Sequence, residues 1–321
     1  MKVGMSNSAT TSPSAAFFEG DELWDPLWKE AAGEATLRLR MGLQGQLPTL
    51  ENNGGAEATI KKPKIEDPEL ILYSSWFCPF AQRAWIAAEE SGVNYRWVEI
   101  NPYYVNPERP GGYTKKAMTL EEKRTMNPDF IEASPRGLVP AIKHGDKLIW
   151  ESLPVSEYID AVFGGGSLMN RNDPFEDARQ QIWCAHCTDR IQKKYYQALV
   201  AQNKEAQKSC VEEFYQECRA LASAMRDDGP YFNGKEFSLV DVALAPFWQR
   251  ILPVGGHYFG LTLPVEEPEF QRLEKWWQAV KDRPSVAATI VCEPRLVLSY
   301  QDYPHNPHNV ATSDAAKNYF K

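Results

Sequence analysis

The chain has 321 residues, enough for two domains at about 150 residues each, and its 43% hydrophobic and 24% charged content is that of a folded globular protein rather than a disordered, collagenous or coiled-coil one. With 43 acidic against 35 basic side chains the net charge is −8, the wrong sign for a protein that draws affinity from phosphates, so neither nucleic acid nor anionic membrane is an expected partner. No apolar run reaches membrane-spanning length and the first residues carry no signal-peptide core, while six cysteines at irregular spacing read as free thiols in a reducing compartment, the cytoplasm.

Residues 1–67 are rich in Ser, Thr, Gly and Ala and read as a partly flexible extension outside the core fold. Within them Leu23, Leu27, Ala31, Ala35 and Leu37 have mostly helical spacing, which fits a docked amphipathic helix. The folded part begins at Leu70-Ile71-Leu72-Tyr73, a short apolar run that predicts a buried strand, followed by a helix from Pro79 to Ser91 that Gly92 stops. Tyr95 to Ile100 predicts a second strand, and the order strand, helix, strand implies a parallel pair with a right-handed crossover. Asn101 to Asn127 is polar and broken by Pro102, Pro107, Pro110 and Gly111-Gly112, so it reads as a long inserted loop whose anchored ends place it beside the active region. Leu138 to Lys143 and Lys147 to Trp150 predict two strands joined by the turn His144-Gly145-Asp146, and Glu151 to Val162 predicts a helix. Residues 68–163 thus form an α/β domain with an insertion at 101–127.

Gly164-Gly165-Gly166 marks a boundary, after which the sequence is helical almost throughout, giving an all-α domain over 172–300 and a non-periodic tail at 301–321. Val211, Phe214, Cys218, Leu221 and Met225 form one apolar stripe, and Phe270, Leu273, Trp277 and Val280 another. Ser238 with Asp241 three positions on is a capping pattern, so a helix starts at Leu239.

Cys78-Pro79-Phe80-Ala81-Gln82-Arg83 lies where the first strand ends and the first helix begins. Unpaired N–H groups and the helix dipole favour a thiolate there, and the thiolate is the nucleophile of thiol-disulfide exchange. A dithiol motif would place a second Cys at position 81, which is Ala81, so the disulfide formed by Cys78 must pass to an external thiol. Pro140, opening a strand after Leu138-Val139, is a candidate for a cis bond that turns the Val139 peptide toward the mouth of that helix, where an extended peptide can pair with it. Glu151-Ser152 opens the next helix, where free N–H groups can receive a carboxylate and Glu151 can hold an ammonium. Cys184-Ala185-His186-Cys187 has redox or zinc-like spacing but sits inside a predicted helix without a second ligand pair, so it reads as packed thiols and no metal is expected.

Phe77-Cys78-Pro79-Phe80-Ala81, Gly137-Leu138-Val139-Pro140 and Trp150-Glu151-Ser152 together resemble the omega class of cytosolic glutathione transferases. The likeness runs from about Leu70 to Glu293 and includes Asn172 to Glu176, Ala201 to Glu205, Ser238 to Asp241 and Asp282 to Val286. It implies a thioredoxin-like N-terminal domain, an all-helical C-terminal domain, glutathione as co-substrate and a homodimer. Carried over by position, Cys78 forms the mixed disulfide with glutathione, with Phe80 beside it. Val139 and Pro140 bind the cysteinyl unit, and Glu151 with Ser152 holds the γ-glutamyl end. Trp183 and Trp248 are the aromatics assigned to a second-substrate pocket. The chain departs from the omega pattern at Asn127, where a Lys before Pro128 would meet the glycyl carboxylate; Lys123 and Arg124 are the nearby cations.

The implied activity is glutathione-dependent reduction of a small disulfide, dehydroascorbate or a glutathionylated protein, without stable membrane insertion. Two rivals share the fold. One is a non-catalytic binding protein similar to the chloride intracellular channels, whose motif is similar to Cys78-Pro79-Phe80. The other is a glutathionyl-hydroquinone reductase, whose motif has Trp and His where this chain has Phe80 and Gln82.

Overall fold

The computed structural model describes residues 70–105, 113–169, 171–291 and 293–300. The extension at 1–67, its expected helix, and the tail at 301–321 lie outside these residues. The first domain is built on a sheet of four strands, β1 (Leu70–Ser74), β2 (Tyr95–Glu99), β5 (Ala141–His144) and β6 (Lys147–Trp150), in the order β2-β1-β5-β6. β1 and β2 run parallel, as the crossover requires, with Leu72 opposite Trp97. β5 and β6 are antiparallel, Leu72 pairing with Ile142 and Ile142 with Ile149.

Alternation along β1 assigns its two faces. Leu70 and Leu72 join the core shared with helix α1 (Pro79–Ser91), α4 (Ser152–Phe163) and the helical domain. Tyr73 points to the other face and packs with Phe130 and Ile131 of α3 (Pro128–Ala133) and with Ala141. α1 ends where expected, because Gly92 takes the left-handed conformation at φ 66° that stops a helix.

The inserted segment differs from the expected loop. Its described parts are strands β3 (Tyr103–Val105) and β4 (Tyr113–Ala117), paired antiparallel, and helix α2 (Leu120–Met126). Thr119 and Glu122 make a complete capping box at the start of α2, a Thr-x-x-Glu signal that the surrounding Pro and Gly residues obscure. β5 starts at Ala141 rather than Leu138, since Pro140 has no N–H to give a sheet neighbour.

The second domain contains α5 (Pro174–His186), a wider π-helical stretch at Cys187–Gln192, α6 (Lys193–Leu199), α7 (Lys204–Ala224), α8 (Leu239–Phe259), α9 (Pro268–Lys281), α10 (Pro284–Ala287) and α11 (Glu293–Ser299). Phe214, Cys218 and Leu221 are buried as their spacing requires. On α9 the fully buried tryptophan is Trp276, whose indole N–H donates to Asp241 at 2.7 Å, and the expected Trp277 is only partly covered. α8 begins at Leu239, with the capping box of Ser238 and Asp241 in place.

α1 lies between the two domains, against α4 on one side and α8 and α10 on the other. Pro79 and every residue from Ala81 to Ala88 are buried, including the polar Gln82 and Arg83. Small alanines let the neighbouring helices approach, and the two buried polar side chains find acceptors across the domain boundary.

Candidate active site

The site is assembled around the first turn of α1. Cys78 is its N-cap, with extended backbone (φ −84°, ψ 118°) and a partly exposed side chain. Its N–H donates to the Ser75 carbonyl at 3.0 Å and its own carbonyl accepts from Gln82 N–H at 3.0 Å. Pro79 takes the first helical position, where a missing N–H costs nothing. The turn before it is pinned from β2: Glu99 accepts from the Trp76 N–H at 3.3 Å and from the Trp97 indole at 2.9 Å.

The remaining described cysteines stand in contrast. Burial pushes the Cys184 thiol well above its ordinary value and that of Cys187 up to about 12. Burial raises Cys210 and Cys218 as well. The Cys184/Cys187 pair is packed in the helical core, as the sequence reading held.

The Val139-Pro140 peptide is cis, as expected. Val139 is partly exposed and Pro140 buried. Just before them, Gly137 is buried at φ 63° with Leu120, Lys123 and Ile131 closing around it, and a Cβ there would lie 2.9 Å from a Leu120 methyl. Its carbonyl accepts from Lys123 Nζ at 3.0 Å. Burial lowers the Lys123 ammonium below the usual lysine value. This brings a cation from α2 beside the Val139 segment, whereas Asn127 is used up as the residue joining α2 to α3.

At the start of α4 the sequence reading needs one correction. The N-cap is Glu151, and Ser152 is the first helical residue. Glu151 holds a positive φ of 73°, the sole non-glycine example among the described residues, a conformation that costs on the order of 1 to 3 kcal/mol and is commonly retained for function. Its carboxylate is exposed and meets Arg136 at 3.1 Å. The Ser152 hydroxyl accepts from Arg83 Nη1 at 3.2 Å. Arg83 also donates from Nε to the Ala243 carbonyl at 2.9 Å and from Nη2 to Thr188 at 2.8 Å.

The aromatic wall is also redistributed. Phe80 meets Phe247 edge-on at 5.1 Å, and the Arg83 guanidinium stacks on both rings at 5.4 and 4.8 Å. Trp248, one position on, points to another side of α8 and packs against Trp276 at 5.7 Å, buried in the helical core at 3% exposure. Trp183 packs on His186 and Phe232 within the helical domain. Neither is placed with Phe80; Phe247 is, and a helical wheel through Ala243 and Phe247 is the signal that would have found it.

One sheet brings together a cysteine-capped helix, a cis-proline strand entry and a strained helix start, and the chain that carries them matches known proteins. The Glutathione S-transferase N-terminal domain family matches residues 77–162 and the C-terminal domain family of the same name matches residues 186–289. The chain belongs to the glutathione S-transferase family. The transferase is 28% identical to glutathione S-transferase L3 of Arabidopsis thaliana over 73% of its own length and 87% of that protein. It is 25% identical to glutathione S-transferase omega-1 of Sus scrofa over 78% and 94%. Among solved structures, glutathione transferase Omega 3C from Trametes versicolor aligns at 32% identity with a TM-score of 0.56, covering 69% of the transferase and 89% of that chain. The thioredoxin-like and helical domains expected from the sequence are those of this family. No helix among the described residues is long and apolar enough to cross a membrane.

Proposed function

We propose that this transferase is an omega-like, glutathione-dependent thiol-disulfide oxidoreductase. The observation that carries the reading is that Cys78 occupies a partly exposed helix N-cap, while Cys184, Cys187 and Cys218 are buried and burial raises their thiols. The Cys78 thiolate attacks the glutathionyl sulfur of a mixed disulfide and releases the substrate as a thiolate, which takes up a proton. A second glutathione thiolate then attacks the sulfur bound to Cys78, giving oxidised glutathione and restoring the Cys78 thiolate. Glutathionylated proteins are reduced in this way; a small disulfide or dehydroascorbate is the alternative oxidant, taking two electrons from two glutathione molecules that leave as oxidised glutathione.

In this reading the Val139 backbone binds the cysteinyl unit, with Phe80 and Pro140 beside it. Ser152, the α4 N-terminus and Glu151 receive the γ-glutamyl end. Lys123 supplies the cation for the glycyl carboxylate that Asn127 does not provide. A cytoplasmic homodimer completes the proposal. The experiment is a thioltransferase assay with a glutathionylated peptide, run beside mass spectrometry after incubation with oxidised glutathione. One glutathione adduct on the Cys78 peptide supports the reading, and full activity with no adduct there overturns it.

A further inference from the structure

Arg250 lies in α8 and is completely buried. Its Nη2 donates at 3.2 Å to the carbonyl oxygen of Phe77, the oxygen of the peptide bond that joins Phe77 to Cys78. Its Nη1 donates to Gln82 Oε1 at 2.7 Å and to the Pro246 carbonyl. Its Nε is buried with no acceptor. The acceptors of the guanidinium are neutral, the Tyr300 hydroxyl included, and among the described residues no carboxylate pairs with it.

A guanidinium keeps its proton wherever a protein is folded. Buried among neutral groups and with one nitrogen unbonded, it is strongly unfavourable unless a counter-charge stands close by. Gln82 is held for this contact: its amide nitrogen donates to Gln249 and to both oxygens of Thr289, leaving its carbonyl for Arg250. We propose that the counter-charge is the thiolate of Cys78, so that Arg250 is a positioning residue that keeps the nucleophile ionised. This rests on the reading of Cys78 as the reactive thiol and adds a residue from the other domain to its activation.

Charged and titratable groups reach the Cys78 region from several elements. Arg83 lies further along α1, Glu99 ends β2 behind Trp76, and Tyr103 of β3 packs on the Phe77 ring. Tyr300, just past α11, hydrogen-bonds Tyr196 of α6. Burial raises the Tyr300 hydroxyl, the Arg250 charge and hydrogen bonds with Tyr196 and Arg250 work against that, and Cys78 adds to it, so Tyr300 lies within reach of both members of the pair. Glu99 opposes a thiolate and the two arginines favour one. Arg250 ends on the carbonyl of the peptide bond before Cys78.

The test follows iodoacetamide alkylation of the Cys78 peptide by mass spectrometry from pH 5 to 9, in the full chain and in Arg250→Lys, Arg250→Gln and Arg250→Met. The lysine variant should keep the wild-type profile. Both uncharged variants should be alkylated about tenfold more slowly near pH 6.5, the effect of about one unit in the midpoint. Folded glutamine and methionine variants that titrate like wild type overturn the proposal. A wild-type midpoint at the ordinary thiol value of about 8.5 overturns instead the underlying reading of Cys78. If both uncharged variants fail to fold, Gln82→Glu decides: a carboxylate in the place of the Gln82 carbonyl gives Arg250 another counter-charge, and alkylation of Cys78 near pH 6.5 should slow about tenfold. A folded glutamate variant that titrates like wild type overturns the proposal.

Discussion

The guanidinium of Arg83 donates to the hydroxyl of Ser152 at 3.2 Å, tying the first helix of the thioredoxin-like domain to the first residue of α4. The same guanidinium holds Thr188 and the Ala243 carbonyl, so the helical domain sets the position of a side chain in the proposed glutathione site. Thr188 lies in the π-helical stretch, a local widening of the kind that recurs at functional sites.

Replacing Arg83 should therefore act on substrate binding as well as on the fold. Arg83→Met keeps the stem and loses all three donations, and we expect KM for glutathione to rise about tenfold, equivalent to about 1.4 kcal/mol. Steady-state kinetics beside thermal melts separate the two roles. An unchanged KM with a lowered melting temperature would make Arg83 only a tie between domains.

Glu151 and Ser152 should divide their effects differently. The Glu151–Arg136 pair is exposed, with side chains 50% and 64% accessible, and contributes roughly 0 to 1 kcal/mol, so Glu151→Gln should barely change stability. Ser152→Ala leaves a buried Arg83 donor without its acceptor and should cost about 1 to 3 kcal/mol. Both variants should bind glutathione more weakly by calorimetry. Native affinity in both would move the γ-glutamyl site elsewhere.

Lys123 carries the proposal for the glycyl carboxylate. Lys123→Met preserves the packing of the stem around Gly137 while removing the ammonium. Glutathione affinity should fall severalfold, whereas affinity for a glutathione analogue amidated at the glycyl carboxylate should be the same in variant and wild type. Equal losses for both ligands would show that Lys123 shapes the Val139 segment without touching the carboxylate.

The signals legible in the sequence are short-range ones. Cys78-Pro79 at a strand-to-helix junction, Pro140 at a strand entry, Gly92 as a stop and the Ser238–Asp241 box each involve a few neighbouring residues, and each is found in place. The omega resemblance added the thioredoxin-like and helical architecture. What stayed hidden depends on contacts across domains. Arg83 and Arg250 carry no local signal of their roles, since their acceptors lie as far as 160 and 173 positions away. The β3–β4 pair escaped because proline and glycine dominate the segment that joins it. The placement of Phe247 against Phe80 and of Trp248 against Trp276 was not legible for a related reason: adjacent helical positions point about 100° apart, and composition alone does not say which faces the other domain.

A further domain contact makes stability depend on acidity. Glu90 at the end of α1 meets Arg283 and Ser285 beside α10, with Arg283 Nε at 2.9 Å. Burial works to raise the Glu90 carboxyl, but the hydrogen bonds from Arg283 and Ser285 and the Arg283 charge outweigh it, and the net direction is down. A carboxylate depressed in the folded state stabilises above its unfolded value and loses that contribution as pH falls through the folded one. Glu90→Gln should therefore lower stability by about 2 kcal/mol at pH 7, as expected for hydrogen bonds to a charged group. Chemical denaturation should show the gap from wild type closing as pH drops below about 4. A gap that persists undiminished to pH 3 would mean that side-chain shape, not charge, carries the contact.

The reaction itself turns on Cys78. Iodoacetamide at neutral pH should modify Cys78 ahead of Cys184, Cys187 and Cys218, whose thiols burial holds protonated, with Cys187 raised to about 12. Loss of thioltransferase activity should follow that single modification. Cys78→Ser should fold and keep measurable glutathione affinity, because the groups assigned to the γ-glutamyl and glycyl ends are untouched. It should lose disulfide reduction, since a hydroxyl cannot form the mixed disulfide, and should gain weak conjugation of glutathione to an electrophile such as chlorodinitrobenzene through a hydrogen bond to the bound glutathione thiolate. Incubation with oxidised glutathione should place one adduct on the Cys78 peptide of the wild type and none on the variant. An adduct on Cys184 or Cys187, with reductase activity intact in Cys78→Ser, would require the helical domain to open far enough to expose its core, and would transfer the redox centre to that pair.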